Sequence, residues 1–131
     1  MRVYCSHSIR GKHGKDATHT QCKENCDAML VLGNQLRKAL SHIEFYIPAE
    51  HEDFVQWTYD LGYLTEAEIL EIDCRIIDGC DAVIVFVPDG DELQGGRKVE
   101  FDHALSKGIP VVVYRLPGEV IEWLAHIQMA E

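Results

Sequence analysis

Basic side chains are scarce in this sequence of 131 residues, which has 12 lysines and arginines against 22 aspartates and glutamates and a formal net charge of −10. Affinity for a nucleic-acid backbone comes mainly from lysine and arginine side chains that neutralise its phosphates. We therefore expect no nucleic-acid polymer as a partner. A nucleotide remains compatible with this charge, because one arginine and a few backbone amides can bind a single phosphate locally.

Long apolar runs are also missing. The longest covers residues 82–88 and is far too short to span a bilayer. The first residues show no basic stretch followed by an apolar signal region. We therefore expect no membrane partner and a cytoplasmic location. Hydrophobic residues nevertheless make up 47% of the chain, without repeats or biased tracts, which favours one folded domain over residues 1–131.

Paired cysteine motifs are absent as well. The five cysteines form no C-x-x-C pair, and their odd number favours reduced thiols. Possible metal ligands crowd one segment at His13, His19, Cys22 and Cys26, but zinc sites usually show tighter ligand pairs. Cys22 and Cys26 also fall on the apolar stripe of a predicted helix, where cysteine behaves as a small hydrophobe. We favour packing over metal binding and predict neither a metal nor a cofactor.

Two common nucleotide-binding motifs are missing too. The stretch from Gly11 to Lys15 is not a P-loop, because no glycine stands at the required distance before Gly14 and Lys15. In addition, Asp16 replaces the serine or threonine that would hold magnesium. A G-x-G-x-x-G motif is also lacking, so a dinucleotide fold has no support.

The sequence does contain an alternation of strand and helix patterns. Strands are predicted at residues 1–5, 43–47, 81–87 and 109–114, and helices at 22–41, 52–61, 65–78 and 97–107, with a last one after Pro117. Thr65 and Glu68 form a capping box that starts the helix at 65–78. In the helix at 52–61, the aromatic Phe54, Trp57 and Tyr59 are expected in the core more than in a pocket. This order predicts an α/β, flavodoxin-like, doubly wound parallel sheet of four to five strands flanked by helices.

In such folds ligands bind beyond the carboxyl ends of the strands, where neighbouring connections diverge. That rule points to residues 6–14 and 88–100, which should face each other across a cleft. Glu100 is predicted in the first turn of its helix, where the dipole favours the ionised carboxylate. The adjacent Gly95 and Gly96 would let a ligand approach the backbone. An ordinary first-turn glutamate is the alternative.

Asp73 lies on the predicted apolar stripe of the helix at 65–78, whose other members are Ile69, Ile72, Ile76, Ile77 and Cys80. A carboxylate there needs a partner or a cleft, because burying it alone is costly. A structural role and a role in a site are equally compatible with this position. The segment Ser8-Ile9-Arg10-Gly11 offers a hydroxyl, a guanidinium and unobstructed amides, which suit a phosphate.

Together these residues make the chain resemble the nucleoside 2-deoxyribosyltransferase superfamily, and within it the 2′-deoxynucleoside 5′-phosphate N-hydrolases. The first matching motif is V-Y-C-S-H-S-I-R-G at residues 3–11. The second is Asp73 followed by C-D-A-V at residues 80–83. The third is G-x-x-x-E from Gly96 to Glu100, followed by Ala104 and by G-I-P-V at residues 108–111. The three motifs occur in the family's order over most of the chain.

The resemblance implies a function. Glu100 would attack the anomeric carbon of a nucleotide, and Tyr4 would orient it. Asp73 would bind the sugar or help deliver a proton to the leaving base. The 5′-phosphate would be held by Ser8, Ile9, Arg10 and Gly11, with Gly96 close by. A homo-oligomer is also implied, with the apolar face of the last helix either at the interface or packed on its own sheet.

The sequence departs from the family pattern at three places. Gln94 stands where hydrolases carry a serine and transferases an aspartate. Lys98 replaces a glycine, so part of the anion contact moves to Arg97 or Lys98. His7 replaces another glycine, which narrows the cleft or adds a contact to the base. The expected activity is hydrolysis of (deoxy)nucleoside 5′-monophosphates. The alternatives are a deoxyribosyltransferase, a non-catalytic nucleotide sensor and an NAD-cleaving domain.

Overall fold

Strands and helices alternate along the chain in the computed structural model, which describes residues 1–130. The strands are β1 (Arg2–Ser6), β2 (Glu44–Tyr46), β3 (Ala82–Phe86) and β4 (Val111–Tyr114). The helices are α1 (His19–Ala39), α2 (Glu52–Asp60), α3 (Glu66–Asp78), α4 (Gly95–Ser106) and α5 (Pro117–Ala130). Two short 3-10 helices cover Gly11–Asp16 and Pro48–His51. Within residues 1–130, each helix is too short or too polar to traverse a bilayer.

The four described strands form one parallel sheet in the order β2-β1-β3-β4. Side chains alternate between its faces, as the strand period of two requires. On β1, Val3 and Cys5 pack in a core cluster with residues of α1 and α5. Tyr4 points to the opposite face and packs in a second cluster with residues of α3 and α4. Helices therefore cover both faces, which confirms the predicted α/β, flavodoxin-like, doubly wound fold.

Helix starts differ from the sequence prediction at two positions. The start of α1 is three residues earlier than predicted, because Thr18 and Gln21 form a capping box. The start of α4 is two residues earlier, at Gly95, whose φ of +60° is easily adopted only by glycine. The capping box predicted for α3 at Thr65 is present.

Three predictions about apolar residues receive different outcomes. Val120 and Leu124 of α5 are fully buried beside α1, so this helix packs on its own sheet. The expectation of core packing for α2 is wrong, since Phe54 and Trp57 are 74% and 66% exposed. Ile72, placed on the buried stripe of α3, is likewise exposed. In each helix, the spacing of the apolar residues predicted which of them share a face. It did not predict whether another helix or the sheet covers that face.

Candidate functional site

A cleft of about 590 Å³ opens at the carboxyl ends of β1 and β3. Its walls come from the loop after β1, from α2 and α3, and from the start of α4. Ten residues that the sequence placed in the site line it: Tyr4, His7, Ser8, Ile9, Arg10, Gly11, Asp73, Gln94, Gly96 and Glu100. The strand-end rule therefore located the cleft correctly from residues far apart in the chain.

Glu100 lies at the buried base of this cleft, where two side chains of β1 form hydrogen bonds with its carboxylate. The hydroxyl of Tyr4 donates to its Oε2 at 2.5 Å, and the hydroxyl of Ser6 donates to its Oε1 at 2.7 Å. Both donors lie on the same face of β1 because they are two residues apart. Glu100 is only 4% exposed. The carboxylate thus has a fixed orientation, and each oxygen keeps a second lone pair.

The charge state of Glu100 is set mainly by burial. Desolvation raises its pKa from 4.5 to about 7, the two hydroxyl donors oppose that rise, and the charge of Asp73 adds to it. The first-turn position predicted from the sequence is wrong, because α4 begins at Gly95 and its first turn holds no acidic residue. Near neutral pH, the ionised and protonated forms of Glu100 therefore coexist.

Asp73 projects from α3 into the same cleft and is half-buried. Burial raises the pKa of its carboxyl group from 3.8 to about 6. Within residues 1–130 its side chain makes no hydrogen bond or ion pair. A buried carboxyl group normally has such a partner. This arrangement favours a role in the site over a structural role, because Asp73 caps or pairs with no described group.

The loop after β1 is fixed by its own hydrogen bonds. The backbone N–H of Gly11 donates to Ser8 Oγ at 2.7 Å, and Asn25 Nδ2 of α1 donates to the Ile9 carbonyl at 2.9 Å. Gly11 has a φ of +64°, and a Cβ there would come within 2.8 Å of the Asn25 side chain. Arg10 is held less firmly, since its nearest acidic partner is Glu66 at 3.8 Å and it is 44% exposed. Its guanidinium is accessible to a ligand.

His7 and Gln94 are two of the three departures from the family pattern, and Gly96 belongs to a motif that matches it. His7 Nε2 accepts the Ala49 backbone N–H at 3.1 Å, and burial of the ring lowers its pKa to about 4. His7 is therefore neutral near pH 7. Gln94 precedes α4, and its side chain forms no cap hydrogen bond. Gly96 allows α3 to come close, because a Cβ there would lie 3.1 Å from Leu70 Cδ2.

Arg97 and Lys98, to which the sequence assigned part of the anion contact, both have protein partners, and Arg97 also lines the cleft. The Arg97 guanidinium is buried, pairs with Asp91 at 3.0 Å and donates to the Phe86 carbonyl. It stabilises the loop between β3 and α4. Lys98 is outside the cleft lining and pairs with Asp102 at 3.0 Å. Arg10 is thus the accessible cation among the described residues that line the cleft.

Sequence reasoning missed part of the cleft. Ser6 was not selected, although its spacing of two from Tyr4 on a strand places both side chains on one face. The wall formed by β2, α2 and their connection was also missed, except that the sequence left a pocket open as the alternative place for Tyr59. There Tyr46 stacks on Tyr4 and on His51, with ring centroids 5.5 Å and 5.3 Å apart. Tyr59 of α2 lines the cleft as well.

Neither a search for metal-binding groups nor a comparison with known proteins assigns a further role to residues of the cleft. No group of three or more histidine, cysteine, aspartate or glutamate side chains within residues 1–130 is arranged to hold a metal ion. Cys26 is buried in the core, and Cys22 is partly exposed. No protein-family model, curated protein or solved structure matches the chain.

Proposed function

We propose that this protein is an N-glycosidase that hydrolyses (deoxy)nucleoside 5′-monophosphates to a free base and a sugar 5-phosphate. The observation that carries the proposal is the setting of Glu100, a buried carboxylate held by two hydroxyls at the base of an open cleft. A carboxylate fixed in this way suits attack on an anomeric carbon. The resemblance of the sequence to the N-hydrolases supports the same reaction.

The reaction proceeds by double displacement. A Glu100 oxygen attacks C1′ of the sugar, and the C1′–N bond breaks with its electron pair moving to the base. Asp73, when protonated, donates a proton to the departing base. Water then attacks C1′ of the glycosyl-Glu100 ester, Asp73 takes up the water proton, and the Glu100 carboxylate is released. The unpartnered position of Asp73 supports this role.

The substrate class follows from the loop after β1. Arg10 supplies the accessible cation, and the hydrogen bonds at Ser8 and Ile9 hold the loop in place. A phosphate monoester suits a guanidinium and backbone amides. A free nucleoside gives Arg10 nothing to bind. This difference favours a 5′-monophosphate over the nucleoside that a deoxyribosyltransferase would use.

The first experiment is a release assay. Purified protein is incubated with deoxynucleoside monophosphates, ribonucleoside monophosphates and free nucleosides, and the released base is quantified by liquid chromatography. We expect release from monophosphates and a loss of at least about 10³-fold in kcat for Glu100→Gln, since the nucleophile is removed. Asp102→Asn is the matched control, because Asp102 is an exposed carboxylate of the same helix outside the cleft.

Each of the other possible outcomes indicates a different function for this protein or refutes the role of Glu100. Transfer of sugar between bases from free nucleosides would indicate a deoxyribosyltransferase. Binding of monophosphates without release in the unsubstituted protein would indicate a sensor. Full activity in Glu100→Gln would refute the nucleophile assignment. Mass spectrometry of the quenched reaction adds a direct readout, because a glycosyl adduct should map to the peptide that contains Glu100.

A further inference from the structure

The longest stretch of the chain without a lysine or an arginine, residues 39–74, contains nine aspartates and glutamates. It also contains a group of exposed large hydrophobic side chains, which are Phe54, Trp57, Leu61 and Tyr63. Single exposed apolar residues are normal on a protein surface, whereas a contiguous group of them is typical of an interaction site. This group lies outside the cleft, and the proposed mechanism does not use it.

Helix α2 presents these apolar side chains on the side opposite the cleft. Phe54, Trp57 and Leu61 have the i, i+3 and i+7 spacing of one helical face, and they form the outer face of α2. The side chains of α2 that line the cleft are instead Glu52, Val55, Gln56 and Tyr59. None of the nine residues of α2 is buried. Since a short helix gains most of its stability by packing one of its faces, the outer face of α2 is left without the cover that such a helix normally has.

The backbone at the end of α2 is fixed by hydrogen bonds. The Gly62 N–H donates to the Tyr59 carbonyl at 3.0 Å, and the Tyr63 N–H donates to the Thr58 carbonyl at 2.9 Å. These two bonds form a Schellman motif, in which Gly62 has a φ of +73°. Tyr63 therefore has a defined position at the end of the helix. Aromatic side chains on a fixed backbone are typical of protein interfaces, because they bury a large area at a low cost in conformational entropy.

Two carboxylates flank Trp57 on the outer face of α2. Asp53 precedes Trp57 by four residues and Asp60 follows it by three, so each lies about one helical turn away. Both carboxylates are exposed, and neither forms an ion pair with a lysine or arginine in the described part of the chain. A cation of a partner would pair with either carboxylate and would also be attracted to the face of the Trp57 ring. The outer face thus offers apolar contact and cation binding side by side.

We propose that the outer face of α2, together with Tyr63, binds a protein segment that combines apolar and basic side chains, such as a basic amphipathic helix. Charge complementarity selects this partner. A second copy of the chain would bring Asp53 and Asp60 against the same carboxylates in a two-fold interface, where like charges repel. The negative surface of an anionic membrane would repel them as well.

The test uses three synthetic peptides of about four helical turns each. They share one leucine stripe, and all their other positions are lysine, glutamine or glutamate. Calorimetry measures their Kd values for the unsubstituted protein, for Trp57→Ala and for Leu105→Ala, a control at an exposed apolar residue of α4. We expect the lysine peptide to bind at least about 10-fold more tightly than the glutamine peptide, and the glutamate peptide to bind most weakly. Trp57→Ala should weaken binding of the lysine peptide by at least about 10-fold, and Leu105→Ala by less than about 2-fold.

A second pair of variants tests the charges. Asp53→Asn combined with Asp60→Asn should weaken binding of the lysine peptide by about 3- to 10-fold and leave that of the glutamine peptide unchanged. Asp27→Asn combined with Asp102→Asn is the control for net charge, because both are exposed carboxylates of other helices. Its Kd values should lie within about 2-fold of those of the unsubstituted protein.

Equal binding of the three peptides, or binding that Trp57→Ala leaves unchanged, would overturn the proposal. An equal loss in the net-charge control would also overturn it, since the peptide would then respond to the charge of the whole molecule. Sedimentation equilibrium and pelleting with phosphatidylserine vesicles test the other occupants. Self-association or vesicle binding that Trp57→Ala abolishes would assign the outer face of α2 to a second copy or to a membrane instead.

Discussion

Glu100 and Asp73 are two carboxyl groups in one cleft with different partners. Both oxygens of Glu100 accept hydroxyl hydrogen bonds, which favour its charged form against burial. Asp73 has no such donor within residues 1–130, and burial alone raises its pKa. A nucleophile needs the charged form and a proton donor the neutral one. In the proposed mechanism, the two hydroxyl hydrogen bonds fit Glu100 to the role of nucleophile by orienting its carboxylate, while burial leaves its pKa at about 7, above the value of about 6 for Asp73.

The rate of base release should depend on pH through both groups. With Glu100 at a pKa of about 7 and Asp73 at about 6, activity falls at low pH as Glu100 gains a proton and at high pH as Asp73 loses one. We expect a bell-shaped profile of kcat/KM with its maximum between about pH 6 and 7. The measurement is a pH series on one monophosphate.

Asp73→Asn supplies the control for that profile. It should lower kcat by about 10²- to 10⁴-fold through loss of the proton donor, and it should remove the decline at high pH. The decline at low pH, which reports Glu100, should remain. A decline at high pH that persists unchanged in Asp73→Asn would show that another group donates the proton.

Among the elements, the loop between β1 and α1 is the one to which the proposed function assigns phosphate recognition. Its hydrogen bonds at Ser8 and Ile9 hold the backbone, while the Arg10 side chain is accessible. Arg10→Ala should raise KM for a monophosphate by at least about 10-fold, since a charge-assisted hydrogen bond is lost, and leave activity on the free nucleoside unchanged. Lys12→Ala is the matched control, a cation of the same loop outside the cleft.

Steady-state kinetics on a monophosphate and on its nucleoside measure whether Arg10→Ala affects only the phosphorylated substrate. Equal losses on both substrates in Arg10→Ala would contradict phosphate recognition and indicate a disturbed loop. A loss in Lys12→Ala as large as that in Arg10→Ala would show a general effect of positive charge near the cleft.

The elements also show what the sequence could and could not predict. Strand and helix periods predicted the sheet, the capping box of α3 and the cleft, because these depend on local pattern and strand direction. The exposure of Phe54 and Trp57 was not predictable in that way, since it depends on whether another element covers α2. The start of α1 was missed because its capping box, Thr18 and Gln21, lies in a polar segment that has no apolar period.

At the scale of the whole molecule, the site lies where the chain changes direction in the sheet. From β1 the chain goes to β2 on one side and then to β3 on the other, so the connections diverge between β1 and β3. Tyr4 and Ser6 come from β1, and Glu100 follows β3. The alternation of strands and helices alone was sufficient to predict this crevice.

The buried Glu100 should make the stability of the whole domain depend on pH. Its folded-state pKa of about 7 lies above the ordinary 4.5. The folded form therefore holds the proton more tightly than the unfolded form. That stabilisation is complete below about pH 4.5 and is lost as pH rises through about 7, a change of about 3 kcal/mol. Glu100→Gln cannot ionise and should be the more stable protein at pH 8, with a smaller difference at pH 4.5.

Urea unfolding of both proteins at the two pH values measures this difference. Asp102→Asn is the control, and its free energy of unfolding should follow that of the unsubstituted protein. Identical pH dependence in Glu100→Gln and the unsubstituted protein would show that Glu100 is not the group responsible.

The hydroxyls that hold Glu100 come from the other end of the chain, at sequence separations of 96 residues for Tyr4 and 94 for Ser6. During synthesis on the ribosome, β1 is made long before its carboxylate partner exists. Until residue 100 has been added and α4 has docked beside the centre of the sheet, the hydroxyls of Tyr4 and Ser6 have no Glu100 to hold. Under the proposed function, a nascent chain therefore has no positioned nucleophile, and base release can begin only after the central strands are joined.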